Sequence, residues 1–360
     1  MAIKYQPMNS SMNKRHFIKS CALSAALLPL AGRHVFAATP ASGVTKRLPL
    51  PLNPGDTVGL VSPSKATDQL LDVQIATEVM QALGLTVKAG AHLTSRRGHL
   101  AGTDAERAAD INTMFADNDV KAIVCLRGGS GAARLLPLLD YELIKAKPKI
   151  LLGYSDITAL HSAIQAKTGL VTFHGPNGSG SWNQFNAEQF RQLFFQRQAM
   201  QYHNLAGDED ELVPRQNRTI TITPGKVQGD LIGGNLTVLT ALAGSAYLPD
   251  FSGKILFVED VEEAPYRIDR MLTTLKLMGA LDKIAGFIFG QCTACNPDGG
   301  YGWLTMDQIF DDHIKPLNIP AYRGAMIGHI KQQFIVPVGG RVELDADAGS
   351  FRLLEAVFQP

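Results

Sequence analysis

The first half of the chain alternates short apolar runs with helical stretches, and this alternation constrains the fold most strongly. Residues 120–126 form a nearly unbroken apolar run of the kind found in strands that are buried on both faces. Further strands are predicted in the same half, with helices between them, at 57–62, 86–89 and 150–153. Strands separated by helices pair in parallel, so the pattern predicts a doubly wound α/β sheet.

Length and composition predict two domains. With 360 residues, of which 45% are hydrophobic and 19% charged, the chain is too long for one small core. Residues 191–226 are rich in polar side chains and lose apolar periodicity, which predicts a linker that ends in a hairpin near 219–223. We therefore expect an N-terminal domain over 48–190 and a smaller, β-rich C-terminal domain over 227–360.

Residues 1–37 have the features of an export signal. A basic stretch is followed by an uncharged, mostly apolar run at 21–31 and by the small-residue cleavage pattern Val35-Phe36-Ala37. The apolar run is too short to span a bilayer. Segment 13–19 resembles a twin-arginine signal with Lys14 in place of the first arginine, so the twin-arginine and general secretory routes both stay open. We expect a periplasmic protein without stable membrane insertion; an amphipathic helix that stays attached is the alternative.

The charge distribution argues against two classes of partner. The formal net charge is +1, and the first 37 residues hold five basic residues and no acid, which leaves the remainder at about −4. A slightly acidic body lacks the basic surface that binds nucleic acid or an anionic membrane. We therefore expect neither as a partner.

Two of the four cysteines form a C-x-x-C pair. Cys292 and Cys295 make up this pair, whereas Cys125 lies in the apolar run and is expected in the core. A single C-x-x-C without a second pair is weak evidence for zinc. We interpret the two residues as neighbouring thiols and keep a disulfide and a metal site as alternatives.

The most informative segment is Gly153-Tyr154-Ser155-Asp156, where a predicted strand ends and a helix begins at once. This geometry exposes a hydroxyl at the carboxyl end of the sheet, where open α/β sheets bind ligands. It is similar to a nucleophile elbow, although the second glycine of G-x-S-x-G is absent. The alternative is that Ser155 only caps the helix.

A glycine-rich segment, 128–131, follows another predicted strand. Glycines let backbone N–H groups approach a ligand, so the amides of Gly129 and Asp156 are candidate donors to an oxyanion. A phosphate-binding loop or a plain tight turn is the alternative. The segment is not a Walker A motif, because no Gly-Lys-Ser/Thr follows it.

A serine nucleophile needs a histidine base that a carboxylate orients. His329 stands out because it closes an apolar stretch in a loop, whereas His161 lies within the helix after Ser155 and is expected to be structural. His174 is expected to line the cleft. Glu259 ends a buried strand, as a catalytic carboxylate would, although a solvated acidic loop is the alternative.

Together these segments resemble the LD-carboxypeptidase family of serine peptidases, which includes muramoyltetrapeptide carboxypeptidase and the microcin C self-immunity peptidase. The resemblance covers residues 54–344, nearly the whole chain after the signal. Its marks are ordered along the sequence as Gly55-Asp56, Pro63-Ser64, Ala101-Gly102-Thr103-Asp104 with Arg107, Arg127-Gly128-Gly129, Gly153-Tyr154-Ser155-Asp156, His174-Gly175-Pro176, Gly233-Gly234-Asn235-Leu236, Glu259-Asp260 with Tyr266-Arg267 and Asp269, and Gly328-His329.

The resemblance implies a fold and a site. An N-terminal Rossmann-like, flavodoxin-like domain would supply Ser155, and the C-terminal domain would supply Glu259 and His329 as the other members of a catalytic triad. The oxyanion amides fall on Gly129 and Asp156. The resemblance also implies a homodimer and a reaction that requires neither a metal nor an organic cofactor.

The implied substrate is a murein tetrapeptide from which the terminal D-Ala is released. A carboxypeptidase must bind a free carboxylate, and Arg127 and Arg267 are candidates; a structural ion pair is the alternative for each. Two residues depart from the family pattern, Ser130 in the glycine loop and Gln333 after the histidine, which leaves the exact substrate open. The alternatives are an amide hydrolase of the immunity type and a non-catalytic periplasmic binding protein.

Overall fold

The computed structural model describes residues 44–207, 212–296 and 302–360. The predicted export signal at 1–37 lies outside the described residues. Among the helices that are described, none combines the length and apolar character needed to cross a membrane.

The first sheet contains five parallel strands, and helices connect them. The strands are β1 (Thr57–Val61), β2 (Thr86–Ala89), β3 (Val120–Cys125), β4 (Ile150–Gly153) and β5 (Thr172–His174). The helices are α1 (Leu70–Ala82), α2 (Asp104–Ala116), α3 (Tyr141–Ala146), α4 (Thr158–Thr168) and α5 (Gln184–Phe190). The strand order β2-β1-β3-β4-β5 is flavodoxin-like, and every neighbouring pair is parallel. The predicted doubly wound α/β fold is confirmed.

A capping box fixes the start of α2. The Thr103 hydroxyl accepts a hydrogen bond from the Glu106 N–H at 3.2 Å, and the Glu106 carboxylate accepts one from the Thr103 N–H at 2.7 Å. This reciprocal capping box satisfies two amides that the first helical turn leaves unpaired. Thr103 is therefore the N-cap of α2.

A second sheet of eight strands forms the β-rich half. The strands after β5 are β6 (Gln201–Tyr202), β7 (Ile220–Thr223), β8 (Lys226–Asn235), β9 (Ile255–Val261), β10 (Gly286–Thr293), β11 (Ala321–Arg323), β12 (Val336–Val338), β13 (Arg341–Asp345) and β14 (Ser350–Leu353). The helices are α6 (Leu236–Ala241), α7 (Pro265–Leu277) and α8 (Met306–His313). All except β12 join this sheet, in the order β6-β14-β13-β8-β9-β10-β11-β7, with parallel pairing from β8 to β11.

Two strand pairings differ from the sequence-based expectation. The hairpin predicted near 219–223 does not form, because β7 pairs antiparallel with β11, whereas β8 pairs with β13 and β9. Residues 191–226 therefore supply two edge strands, β6 and β7, rather than a linker alone. From the other end of the chain, β12 pairs antiparallel with β5 and extends the first sheet.

The two sheets approach closely at the start of α4. The Asn235 N–H donates a hydrogen bond to the Thr158 hydroxyl at 2.8 Å. Gly234 has φ +135°, and a Cβ at this position would lie 2.4 Å from the Thr158 Oγ1. Only glycine combines that backbone conformation with so close an approach. The Gly233-Gly234-Asn235 motif thus lets the second sheet meet the helix that follows Ser155.

Candidate active site

Ser155 occupies a tight left-handed turn between β4 and α4. Its φ is +66°, which is uncommon for a residue with a side chain. The Asp156 carboxylate secures the turn by accepting hydrogen bonds from the Ser64 hydroxyl at 2.5 Å and the Ala132 N–H at 2.8 Å. The turn is thereby tied to the loops that follow β1 and β3. The Asp156 side chain is therefore structural, and only the Asp156 backbone amide remains a candidate oxyanion donor.

His161 supports the strand that leads into this turn. Its Nε2–H donates to the Gly153 carbonyl at 2.9 Å, and its Nδ1 lies 2.9 Å from the Thr172 hydroxyl. Burial lowers the pKa of His161 to about 4, although the bond to Gly153 opposes the shift. The ring is therefore neutral and braces β4 against β5.

His329 lies between Ser155 and Glu259. Its Nε2 is 3.0 Å from the Ser155 Oγ, and its Nδ1 is 2.8 Å from the Glu259 Oε2. The Glu259 side chain is fully buried, whereas 19% of the His329 side chain is exposed. The structure thus brings together a hydroxyl from the first sheet with an imidazole and a carboxylate from the second half of the chain.

Glu259 and Asp260 are adjacent acids with different surroundings. Successive side chains of a strand point to opposite faces, and Glu259 alone meets His329. Asp260 instead accepts hydrogen bonds from the Asn235 side-chain amide at 3.0 Å and from the N–H and hydroxyl of Thr237, each at 2.9 Å. Burial, and then the charge of Glu259, raise the pKa of Asp260 to about 6. Asp260 therefore anchors the start of α6.

The electrostatics of His329 favour a strong proton acceptor. Burial alone would lower the pKa of the imidazole, but the hydrogen bond to Glu259 and its charge, with smaller contributions from Asp260 and Glu262, raise it above its usual value. Gly328 makes the contact possible, because its φ is +119° and a Cβ there would lie 2.7 Å from the Glu259 Oε2. The loop backbone can therefore bring His329 onto the carboxylate.

The glycine loop after β3 packs directly against the serine turn. A Cβ on Gly128 would lie 2.8 Å from the Ser155 Cβ, and one on Gly129 would lie 2.5 Å from the Lys65 Cβ. The buried Arg107 guanidinium links this loop to the one after β1 by donating to the carbonyls of Gly131 and Pro63. The predicted oxyanion donors, Gly129 and Asp156, therefore lie on segments that flank Ser155.

Of the three predicted substrate-binding residues, two form ion pairs and one is buried. Arg127 Nη1 is 3.9 Å from the Asp72 carboxylate, and Arg267 Nη1 is 3.3 Å from the Glu263 carboxylate, so each forms an ion pair within the protein. His174 is fully buried, and this overturns the expectation that it lines the cleft. Its ring packs edge-on against Phe257 and Tyr154, because β5 runs through the interior of the first sheet.

The C-x-x-C pair, interpreted from the sequence as two neighbouring thiols, instead forms a disulfide, Cys292–Cys295, beside this site. The bond closes a short loop at the end of β10, and the Thr293 hydroxyl within the loop donates to the backbone carbonyl of His329 at 3.0 Å. The Tyr154 ring centroid lies 4.9 Å from that of the His329 imidazole. Thr293 and Tyr154 are positioning residues for His329. Both lie within segments that the sequence marks out, the C-x-x-C pair and Gly153-Tyr154-Ser155-Asp156, but their contacts with the histidine appear only in the folded chain.

Thr293→Val is expected to slow any reaction in which His329 takes the proton of Ser155. We expect its kcat to fall about 3- to 10-fold and its KM to stay nearly unchanged. Valine keeps the shape of threonine but removes a hydrogen bond of about 0.5–1.5 kcal/mol that orients the His329 backbone. Steady-state kinetics of Thr293→Val and Thr293→Ser provide the measurement, and the serine variant, which keeps the hydroxyl, should retain the wild-type kcat. Equal kcat values in the valine variant and the wild type would show that this bond does not position the histidine.

Comparison with known proteins finds two domain models of one family, in order along this chain. Residues 58–175 match the LD-carboxypeptidase N-terminal domain, and residues 228–344 match the LD-carboxypeptidase C-terminal domain. The probable murein peptide carboxypeptidase of Bacillus subtilis is 40% identical over 303 residues, which cover 82% of this chain and 91% of the relative.

Two solved structures are similar throughout. The microcin C7 self-immunity protein MccF in complex with glutamyl sulfamoyl guanosine matches with a TM-score of 0.78 and 28% identity, covering 87% of this chain and 99% of that one. The muramoyltetrapeptide carboxypeptidase of Oxalobacter formigenes matches with a TM-score of 0.71 and 30% identity, covering 82% and 97%. With both domain models matched in order and a 40% identical relative spanned almost completely, this chain belongs to the LD-carboxypeptidase family.

Proposed function

We propose that this protein is a serine L,D-carboxypeptidase that releases the terminal D-Ala of murein tetrapeptides. The observation that carries the proposal is the hydrogen-bonded series from Ser155 Oγ through His329 to Glu259, at 3.0 and 2.8 Å. A hydroxyl, an imidazole and a buried carboxylate in this order are the groups that acyl transfer to serine requires. The family membership and the murein peptide carboxypeptidase among its relatives support the choice of substrate.

The reaction proceeds through an acyl-enzyme. His329 Nε2 takes the proton of Ser155 as the serine oxygen attacks the amide carbonyl, and Glu259 holds the tautomer with its proton on Nδ1. The amides of Gly129 and Asp156 stabilise the oxyanion. His329 then protonates the nitrogen of the departing D-Ala as the C–N bond breaks. Water, deprotonated by His329, hydrolyses the ester and regenerates the serine.

The direct test is to incubate the purified protein with a murein tetrapeptide and identify the products by mass spectrometry. We expect the tripeptide and free D-Ala in equal amounts, with one water consumed for each bond cleaved. The same tetrapeptide with a terminal L-Ala is the matched control and should remain intact. If D-Ala is not released from the natural tetrapeptide, the murein assignment is wrong.

An amide hydrolase of the immunity type is the second candidate, and the similarity to MccF favours it. That protein is seen in complex with an acidic aminoacyl group joined to a sulfamoyl nucleoside. Glutamyl sulfamoyl guanosine can be assayed in parallel with the tetrapeptide at the same enzyme concentration. Release of glutamate without release of D-Ala would replace the first function with the second.

A further inference from the structure

The Cys292–Cys295 disulfide joins the two ends of a turn whose backbone conformation is unfavourable. Ala294, in the middle of the turn, has φ +57°, a left-handed conformation that residues with a side chain rarely adopt. The Cys295 N–H donates to the Cys292 carbonyl at 3.3 Å, a long hydrogen bond that stabilises the turn weakly. The covalent bond therefore supplies a restraint that the backbone of this turn lacks.

The threonine inside the turn connects the loop of His329 to the strand of Glu259. The Thr293 hydroxyl donates to the His329 carbonyl at 3.0 Å, and the Thr293 carbonyl accepts a hydrogen bond from the Glu262 N–H at 2.8 Å. Glu262 directly follows β9, the strand that carries Glu259. A displacement of the turn would therefore change how the imidazole lies against its carboxylate.

A reductant in solution can reach this disulfide. Both of its cysteines are half-buried, and Ala294 between them is exposed. Cys125, the remaining cysteine in the described part of the chain, is fully buried, and burial raises the pKa of its thiol. Among the described residues, thiol–disulfide exchange is therefore confined to the pair beside His329.

We propose that the Cys292–Cys295 disulfide is a redox-controlled positioning group for His329. Its reductant is a dithiol. One thiolate of the dithiol attacks a sulfur of the disulfide, and the other sulfur leaves as a thiolate and takes up a proton. The second thiol of the reductant then breaks the mixed disulfide. Two electrons and two protons pass to the protein, which ends with two thiols, and the reductant becomes a disulfide.

Reduction removes the restraint on the turn. Ala294 can then leave its left-handed conformation, and Thr293 can move away from the His329 carbonyl. The imidazole loses its single orientation, proton transfer from Ser155 slows, and kcat falls. The proposal rests on the serine mechanism proposed above and adds a dependence on the redox state of the surroundings. Disulfides persist in oxidising compartments and are reduced where cellular thiols are maintained, so the enzyme is expected to be faster in the former.

The test compares D-Ala release from the tetrapeptide by the disulfide form and by the form reduced with dithiothreitol. Alkylation followed by mass spectrometry counts the thiols in each form. We expect reduction to lower kcat about 3- to 10-fold and to leave KM nearly unchanged, because it weakens the hydrogen bond that Thr293→Val removes. The matched control, Cys292→Ser combined with Cys295→Ser, should have the kcat of the reduced wild type and should not respond to dithiothreitol. Equal kcat values for the two forms of the wild type would overturn the proposal.

Thr293→Val separates positioning from a general loosening of the loop. In this variant the hydrogen bond that the disulfide supports is already absent, so reduction should lower kcat by less than about twofold. If reduction lowers kcat as much in Thr293→Val as in the wild type, the disulfide does not act through Thr293 and the proposal is wrong.

An NMR titration of the His329 ring tests the same device without a substrate. Burial lowers the pKa of this ring, and the carboxylates of Glu259, Asp260 and Glu262 raise it above its usual value. Reduction should therefore lower the pKa of His329, because a less restrained ring spends less time against Glu259. An unchanged pKa would contradict the proposal. If neither form releases D-Ala, the proposed murein function fails, while the titration still decides the role of the disulfide.

Discussion

Ser155→Ala is expected to lower D-Ala release about 10⁴- to 10⁶-fold, because the hydroxyl that attacks the carbonyl is lost while the rest of the site remains. The hydroxyl lies 3.0 Å from the His329 Nε2, so no other group needs to move before proton transfer. The rate is measured as D-Ala released from the tetrapeptide. Hydrolysis by the alanine variant at the wild-type rate would contradict a serine nucleophile.

Ser155→Gly separates the loss of chemistry from the loss of fold. Serine at φ +66° carries a left-handed conformational cost of about 1–2 kcal/mol, which glycine does not have. The greater freedom of unfolded glycine offsets this gain by about 0.5–1 kcal/mol. The glycine variant should therefore be inactive and unfold at the wild-type Tm or above it in calorimetry. A lower Tm would mean that the serine side chain stabilises the turn as well.

Glu259→Gln is the substitution with the second largest expected effect, a loss of about 10⁴-fold in kcat. The glutamine amide can donate a hydrogen bond to the Nδ1 of His329, which would place the imidazole proton on Nε2, facing Ser155. In that tautomer the ring cannot accept the serine proton. Because the Glu259 side chain is fully buried, solvent cannot restore the carboxylate's role.

The same variant changes the pH dependence in a defined direction. Neutral His329 is the active form, so kcat/KM rises with pH through the pKa of the imidazole, which lies above its usual value in the wild type. Burial lowers the pKa of His329, and without the charge of Glu259 this effect is no longer outweighed, so the pKa falls. The acid limb of the residual activity should therefore move to lower pH in Glu259→Gln. An NMR titration of the His329 ring gives the same pKa independently, and an unchanged value would contradict the assigned coupling.

Much of the first sheet can be predicted from the sequence, because its signals are local. The strands at 86–89 and 150–153 have the predicted bounds, and the Thr103 cap forms with Glu106 three residues later. The second sheet is predicted less well. The short strands β6 and β7 lie within a polar segment, and nothing in their composition indicates that β7 pairs with β11.

Some residues of the candidate site can also be predicted from the sequence, and others cannot. His329 and Glu259 follow from the resemblance and from their positions at the ends of apolar segments, but His174 has an equally suggestive setting and is buried. Arg127 and Arg267 are candidate carboxylate ligands by residue type, yet both face acids of their own chain.

The sequence by itself determines the strand, turn and helix around Ser155, because backbone conformation there depends on neighbours a few residues away. Only the tertiary structure decides which groups meet the serine. Its hydroxyl and the His329 imidazole are 174 residues apart in the chain and 3.0 Å apart in space. Such a contact depends on the packing of both sheets, on Gly234 against Thr158 and on Gly328 against Glu259, which local propensity does not encode.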